Sequence, residues 1–250
     1  MANNYYDKYK KLSDPEQERK EKEGYQMEYE SFALSYLQLR KLIGYLGILL
    51  PFFCMGSSYF YNNPILPSIS HYYHSTARLF FVIILFFLGI FLFSYKGSDK
   101  YERVACKTLA IMAFLIALFP TANTICKIKD CYTDSDLNSF IMPAVVDLPW
   151  KGKFHLFCAG IFFVLLIYLV YKFLKAEKRH STPNKTSIII YKICATGMIL
   201  ALLGIVSTMI IFGNKSDGWG FPPTFTCETL ALLCFGFSWL TKGKTFYKKP

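Results

Sequence analysis

Ser68-Ile-Ser-His-Tyr-Tyr-His-Ser-Thr-Ala-Arg78 runs directly into Leu79-FFVIILFFLGIFLFSY-Lys96. The second stretch is apolar for about five helical turns, enough to cross a hydrocarbon layer of roughly 30 Å. The first places two histidines, an arginine and several hydroxyls at its mouth. A membrane-spanning helix with a polar entrance is the reading from which the rest of the chain follows.

Working outward, five further apolar runs have comparable length. The expected spans are 42–61, 78–96, 104–122, 155–174, 189–212 and 224–241. Composition agrees: of 250 residues, 53% are apolar and 18% aromatic, more than an aqueous globular domain carries. The predicted fold is therefore all-α, a polytopic membrane helix bundle of six transmembrane helices. Pro51 falls inside the first span, where its ring removes a backbone hydrogen bond and bends the helix.

The net charge of +11 suggests nucleic acid until the lysines are located. They gather in the short segments between apolar runs and form no nucleic-acid-reading motif, so that partner is excluded. Arg40/Lys41, Lys96/Lys100/Arg103, the 172–192 cluster and Lys242/Lys244/Lys248/Lys249 fall on one side of a six-span layout. The other side has no Lys or Arg between Phe60 and Ala77, only Lys215 in the fifth-to-sixth connection, and four lysines spread through the long third-to-fourth loop. This asymmetry predicts both termini cytoplasmic.

The domain plan has three parts. Residues 1–40 form a cytoplasmic arm, with 1–24 too polar to bury a core and 26–41 either an amphipathic surface helix or a solvated lead-in. Residues 41–241 form the membrane domain, and 242–250 a basic tail. No cleavable signal sequence is expected at the N-terminus.

The outer loop 123–154 carries Cys126 and Cys131. Facing an oxidising compartment, they are expected to form a disulfide; two free thiols are the alternative, and two cysteines alone make an incomplete zinc site. The other six cysteines lie in apolar runs as small hydrophobes. Asn214-Lys-Ser216 is a glycosylation sequon, meaningful only in a secretory host.

On this topology His71, His74 and Arg78 at span two, Thr121 at the end of span three, His155 at the start of span four and Glu228 near the start of span six share one depth. Ionisable groups at membrane depth need partners or a cavity. Glu228 is the lone charge in its span, and Arg78 is the partner expected for it. The first functional reading is a pocket lined by His74, Arg78, Thr121, His155 and Glu228 that takes a membrane lipid headgroup or a small anionic ligand, with no cofactor. The alternative to any pocket is a structural Arg78–Glu228 salt bridge with snorkelling histidines.

A second functional reading uses His71, His74 and His155 as zinc ligands, with Glu228 or Asp147 as a fourth, for metal-dependent lipid amide or ester hydrolysis. A third is a pore or a homo-oligomeric membrane effector, opposed by the lack of a polar stripe along any span. No repeat relates spans 1–3 to spans 4–6.

Two resemblances bear on these readings. Ser70-x-x-x-His74 resembles the ceramidase/progestin-receptor-like membrane hydrolases, which implies the metal-dependent lipid chemistry; this chain has six expected spans instead of seven and lacks their H-x-x-x-H in the last. More of the chain is covered by Ser68-Ile-Ser-x-Tyr72-Tyr-His74-x-x-x-Arg78, Tyr95-Lys-Gly97, Ala117-Leu-Phe-Pro-Thr121, His155-Leu-x-x-Ala159, and Glu228-x-x-Ala231-Leu with Phe235-Gly-Phe-Ser-Trp239-Leu-x-Lys-Gly243. These are similar to a family of bacterial multi-pass membrane proteins, distantly similar to the DRAM-type six-span proteins. That likeness implies six spans and a plasma (inner) membrane location, and groups the rim residues, but implies no reaction. Leu79 departs from it, since an acidic residue is usual after the arginine.

Overall fold

In a computed structural model the described residues are 15–122, 149–211 and 222–244. Cys126, Cys131 and Asp147, the sequon at Asn214 and the end of the basic tail lie outside them. Every regular element described is helical: α1 (Pro15–Phe60), a short 3-10 helix (Ile69–His74), α2 (Arg78–Ser94), α3 (Lys100–Leu118), α4 (Pro149–Lys178), α5 (Lys185–Ile211) and α6 (Pro223–Lys242). The chain divides into two compact units, Met1–Leu39 and Arg40–Pro250. In the first, Tyr25 and Met27 stand exposed on the helix.

Four helices are long and apolar enough to cross a membrane: Tyr36–Phe60, Trp150–Lys178, Lys185–Ile211 and Pro223–Lys242. The 20 residues of the shortest rise about 30 Å. The two remaining expected spans differ for physical reasons. α2 is apolar between its terminal Arg78 and Ser94 but has 17 residues, at the lower limit for spanning. α3 has 19, with Lys100, Glu102, Arg103 and Lys107 in its first two turns.

Local chemistry sets the helix ends. α3 occupies Lys100–Leu118 where the apolar run suggests 104–122. The Asp99 carboxylate accepts the Glu102 N–H at 2.8 Å, an N-cap that starts the helix early. At the other end Pro120 pushes Phe119 out of the helical region to φ −103°, ψ 117°, stopping it early. α6 opens with Pro223 in its first turn, where a missing amide costs nothing. Pro51 stays within α1, where it has no amide to give the Gly47 carbonyl.

Within the second unit consecutive helices are neighbours and the last returns to the first. Phe53 of α1 stacks on Phe80 of α2 at 5.5 Å. Phe119, just past α3, meets Phe154 of α4 edge-on at 4.9 Å. Phe173 of α4 contacts Tyr191 of α5 at 6.1 Å. α1 and α6 close the ring backbone to backbone: a Cβ on Gly44 would stand 2.8 Å from the Gly236 carbonyl oxygen, and one on Gly236 would stand 2.7 Å from that of Gly44. Small residues permit such an approach. Gly160, by contrast, faces open space.

One end of the bundle is centred on Trp239, fully buried among Tyr95, Phe173 and Phe235 with ring centroids at 4.9, 5.1 and 5.9 Å. There Tyr95 donates to the buried Glu102 carboxylate at 2.9 Å, the Ser98 N–H donates to its other oxygen at 3.0 Å, and Lys172 pairs with Asp99. The expected site residues lie at the opposite end.

Candidate functional site

The site is built on residues 61–78, a segment that leaves α1 and returns to α2. Asn62 takes the left-handed conformation, φ 51°, that ends α1; asparagine tolerates this better than most side chains. Pro64 and Pro67 keep the chain from continuing as helix, and it then winds into the 3-10 helix Ile69–His74.

Two helices and the turn after α3 clasp this segment, and α4 braces that turn. From α1, Ser58 shares a 2.6 Å hydrogen bond with the Tyr72 hydroxyl, which also accepts the Leu66 N–H at 3.3 Å. From α6, the Glu228 carboxylate accepts the Ile69 N–H at 2.6 Å and the Phe225 N–H donates to the Pro67 carbonyl at 3.1 Å. His74 Nε2 meets the Thr121 carbonyl, just beyond α3, at 2.9 Å. His155 of α4 ties the same turn, its Nδ1 lying 2.7 Å from the Phe119 carbonyl. Carbonyls only accept, so both ring nitrogens carry hydrogen and donate. The two histidines thereby satisfy carbonyls that the end of α3 would leave unpaired.

The expected Arg78–Glu228 pair does not form. Glu228 is held by the Ile69 amide; Arg78 lies over the Tyr73 ring, 4.4 Å from its centroid, and donates from Nη2 to the Tyr73 hydroxyl at 2.9 Å. Among the described residues no carboxylate pairs with Arg78; the Lys172–Asp99 ion pair lies at the other end of the bundle. Tyr73 is buried and packs edge-on against Phe81 and His74, fixing the platform on which the partly exposed guanidinium rests.

His71, His74 and His155 are all buried. His71 Nδ1 is 2.6 Å from the Ser68 hydroxyl. Burial first, then the neighbouring His74 and His155, pull its pKa from 6.5 down to about 3, so the ring is neutral at physiological pH. His155 Nε2 is buried without a hydrogen-bond partner. Among the described residues no three His, Cys, Asp or Glu side chains are grouped to hold a metal ion. His74 and His155 each donate one ring N–H to a carbonyl, an arrangement that metal-ligating histidines share.

Glu228 also borders a cavity of about 40 Å³ between the helices, with Ser70 and the apolar side chains of Phe81, Leu85, Phe162 and Leu232. That volume admits water-sized occupants and no lipid headgroup. His74, Arg78, Thr121 and His155 do not line it. The five residues expected in one pocket thus share one end of the bundle without sharing this cavity.

No protein family, no curated protein and no solved structure matches the chain.

Tyr73 is the residue that reading the sequence missed. An aromatic five positions before an arginine at a helix start was the available signal, a geometry suited to stacking. The backbone amide of Ile69, the partner of Glu228, leaves no trace in side-chain chemistry.

Proposed function

We propose that this chain is a six-span plasma-membrane protein, with both termini cytoplasmic, that binds the anionic headgroup of a membrane lipid or a small anion at Arg78. Arg78 is the first residue of α2, where the positive end of the helix dipole adds to its own charge. A cation placed there with no carboxylate partner among the described residues favours an anion. The stacking on Tyr73 carries the reading: it holds the guanidinium at one angle and leaves most of its N–H groups for bidentate pairing with phosphate or carboxylate. Glu228 takes a supporting role, anchoring the 3-10 helix that carries Tyr73, while His74 and His155 fix the turn beside it.

The test is native mass spectrometry of the detergent-purified full-length protein. Wild type is expected to retain one more bound lipid than Arg78→Ala. Equal lipid occupancy in both would overturn the reading.

A further inference from the structure

A second cationic surface lies at the opposite end of the bundle, on the outside of α3. Lys100, Arg103 and Lys107 recur at intervals of three and four residues, so they stack along one helical face, and all three are exposed, as is Lys96 just before the helix. Lys107 lies about 10 Å along the axis from Lys100 and reaches over the Phe93 ring of α2, 5.7 Å from its centroid.

This arrangement is unfavourable in isolation. Arg103 and Lys107 are like charges one turn apart, and the whole stripe sits at the end of α3 where the helix dipole is already positive. The nearby acids are committed elsewhere. Asp99 pairs with Lys172 and caps α3, and Glu102 points inward to Tyr95 and Ser98. Deeper along the same surface come exposed apolar side chains: Val104 and Ile111 of α3, Ile90 and Phe93 of α2. Cations above and aliphatic and aromatic groups below match one ligand class, a molecule with an anionic head and hydrocarbon tails.

We infer that the α2–α3 face formed by Lys100, Arg103, Lys107 and Phe93 is a binding site for an acidic phospholipid, its headgroup on the three cations and its acyl chains along Ile90 and Ile111. The site is separate from the one at Arg78 and does not depend on it. Basic residues at a membrane surface attract anionic lipid individually; here the helix spacing adds them into a single site.

The experiment is thermal unfolding of the full-length protein in zwitterionic detergent with added phosphatidylglycerol or phosphatidylcholine. Ligand binding to the folded state raises its stability. Phosphatidylglycerol is expected to raise the melting temperature by about 3 °C or more, by the usual scaling for a chain of this size, and phosphatidylcholine to leave it unchanged. Arg103→Gln with Lys107→Gln should lose at least half of that shift. Lys107→Arg should keep it, as should Lys192→Gln, which removes one exposed charge from α5. Equal shifts with both lipids, a full shift in the double variant, equal loss with Lys192→Gln, or the same shift from inorganic phosphate alone would each overturn the inference.

Discussion

Glu228 accepts the backbone N–H of Ile69 at 2.6 Å across 159 positions of sequence. A carboxylate at membrane depth is thus used to hold a backbone turn in place. The amide belongs to a buried residue, so removing its acceptor leaves a donor with nowhere to go. Glu228→Leu should destabilise by about 1–3 kcal/mol. Glu228→Gln keeps an acceptor oxygen and should cost less than half as much. Unfolding in detergent checks both; equal losses would show that the carboxylate charge matters and the amide bond does not.

Tyr73 and Arg78 act together. Tyr73→Phe keeps the stacked ring but removes the hydroxyl that fixes Nη2. Anionic-lipid affinity should fall about tenfold, equivalent to about 1.4 kcal/mol, while Tyr73→Leu should lower it further. A titration of lipid into purified protein reads the difference, and unchanged affinity in Tyr73→Phe would mean that the hydroxyl does not position the guanidinium.

The aromatic-held arginine shows where sequence and structure part. Apolar run length was enough to place six helices, and their alternating direction was enough to put His71, His74, Thr121, His155 and Glu228 at one end. Run length erred at α3, because a cap at Asp99 and a proline at 120 set helix ends independently of hydropathy. The Asp99-x-x-Glu102 spacing was legible as a capping signal. The partner of Glu228 was not, because every residue but proline carries an amide and only the fold selects Ile69. Opposite charges invited the Arg78–Glu228 pairing, but each finds a neutral partner instead, Tyr73 for Arg78 and the distant Ile69 amide for Glu228.

His71 makes acid stability predictable. Its folded pKa is lowered from 6.5 to about 3, by burial first and then by His74 and His155. Below 6.5 the unfolded chain takes up a proton that the folded chain refuses, so the contribution is complete above that pH and is lost as pH falls toward 3. The melting temperature should drop across this window. His71→Asn keeps an acceptor for Ser68 and has no titrating ring, so its profile should be flatter. A wild-type melting temperature that stays level or rises on acidification contradicts the burial of a neutral ring.

The α1–α6 closure makes a paired prediction. Gly44→Ala drives a methyl to 2.8 Å from the Gly236 carbonyl oxygen, a clash with backbone that should cost about 1–3 kcal/mol. Gly160→Ala meets nothing within 4 Å and should be neutral or stabilising by up to about 1 kcal/mol through helix propensity. Denaturant titrations of the two variants in micelles make the comparison, and equal effects would place the helix crossing elsewhere.

The most direct measurement is the affinity of the full-length protein for a short-chain phosphatidic acid, determined by calorimetric titration with Arg78 intact, Arg78→Ala and Arg78→Lys, each carrying Arg103→Gln and Lys107→Gln so that the α2–α3 face does not contribute. An anion seated on a guanidinium clamped over Tyr73 predicts at least a tenfold loss with alanine and a smaller, clear loss with lysine, which keeps the charge but forfeits the flat bidentate fork. Affinity unchanged in Arg78→Ala would contradict the account, since the anion would then be held by some other part of the bundle.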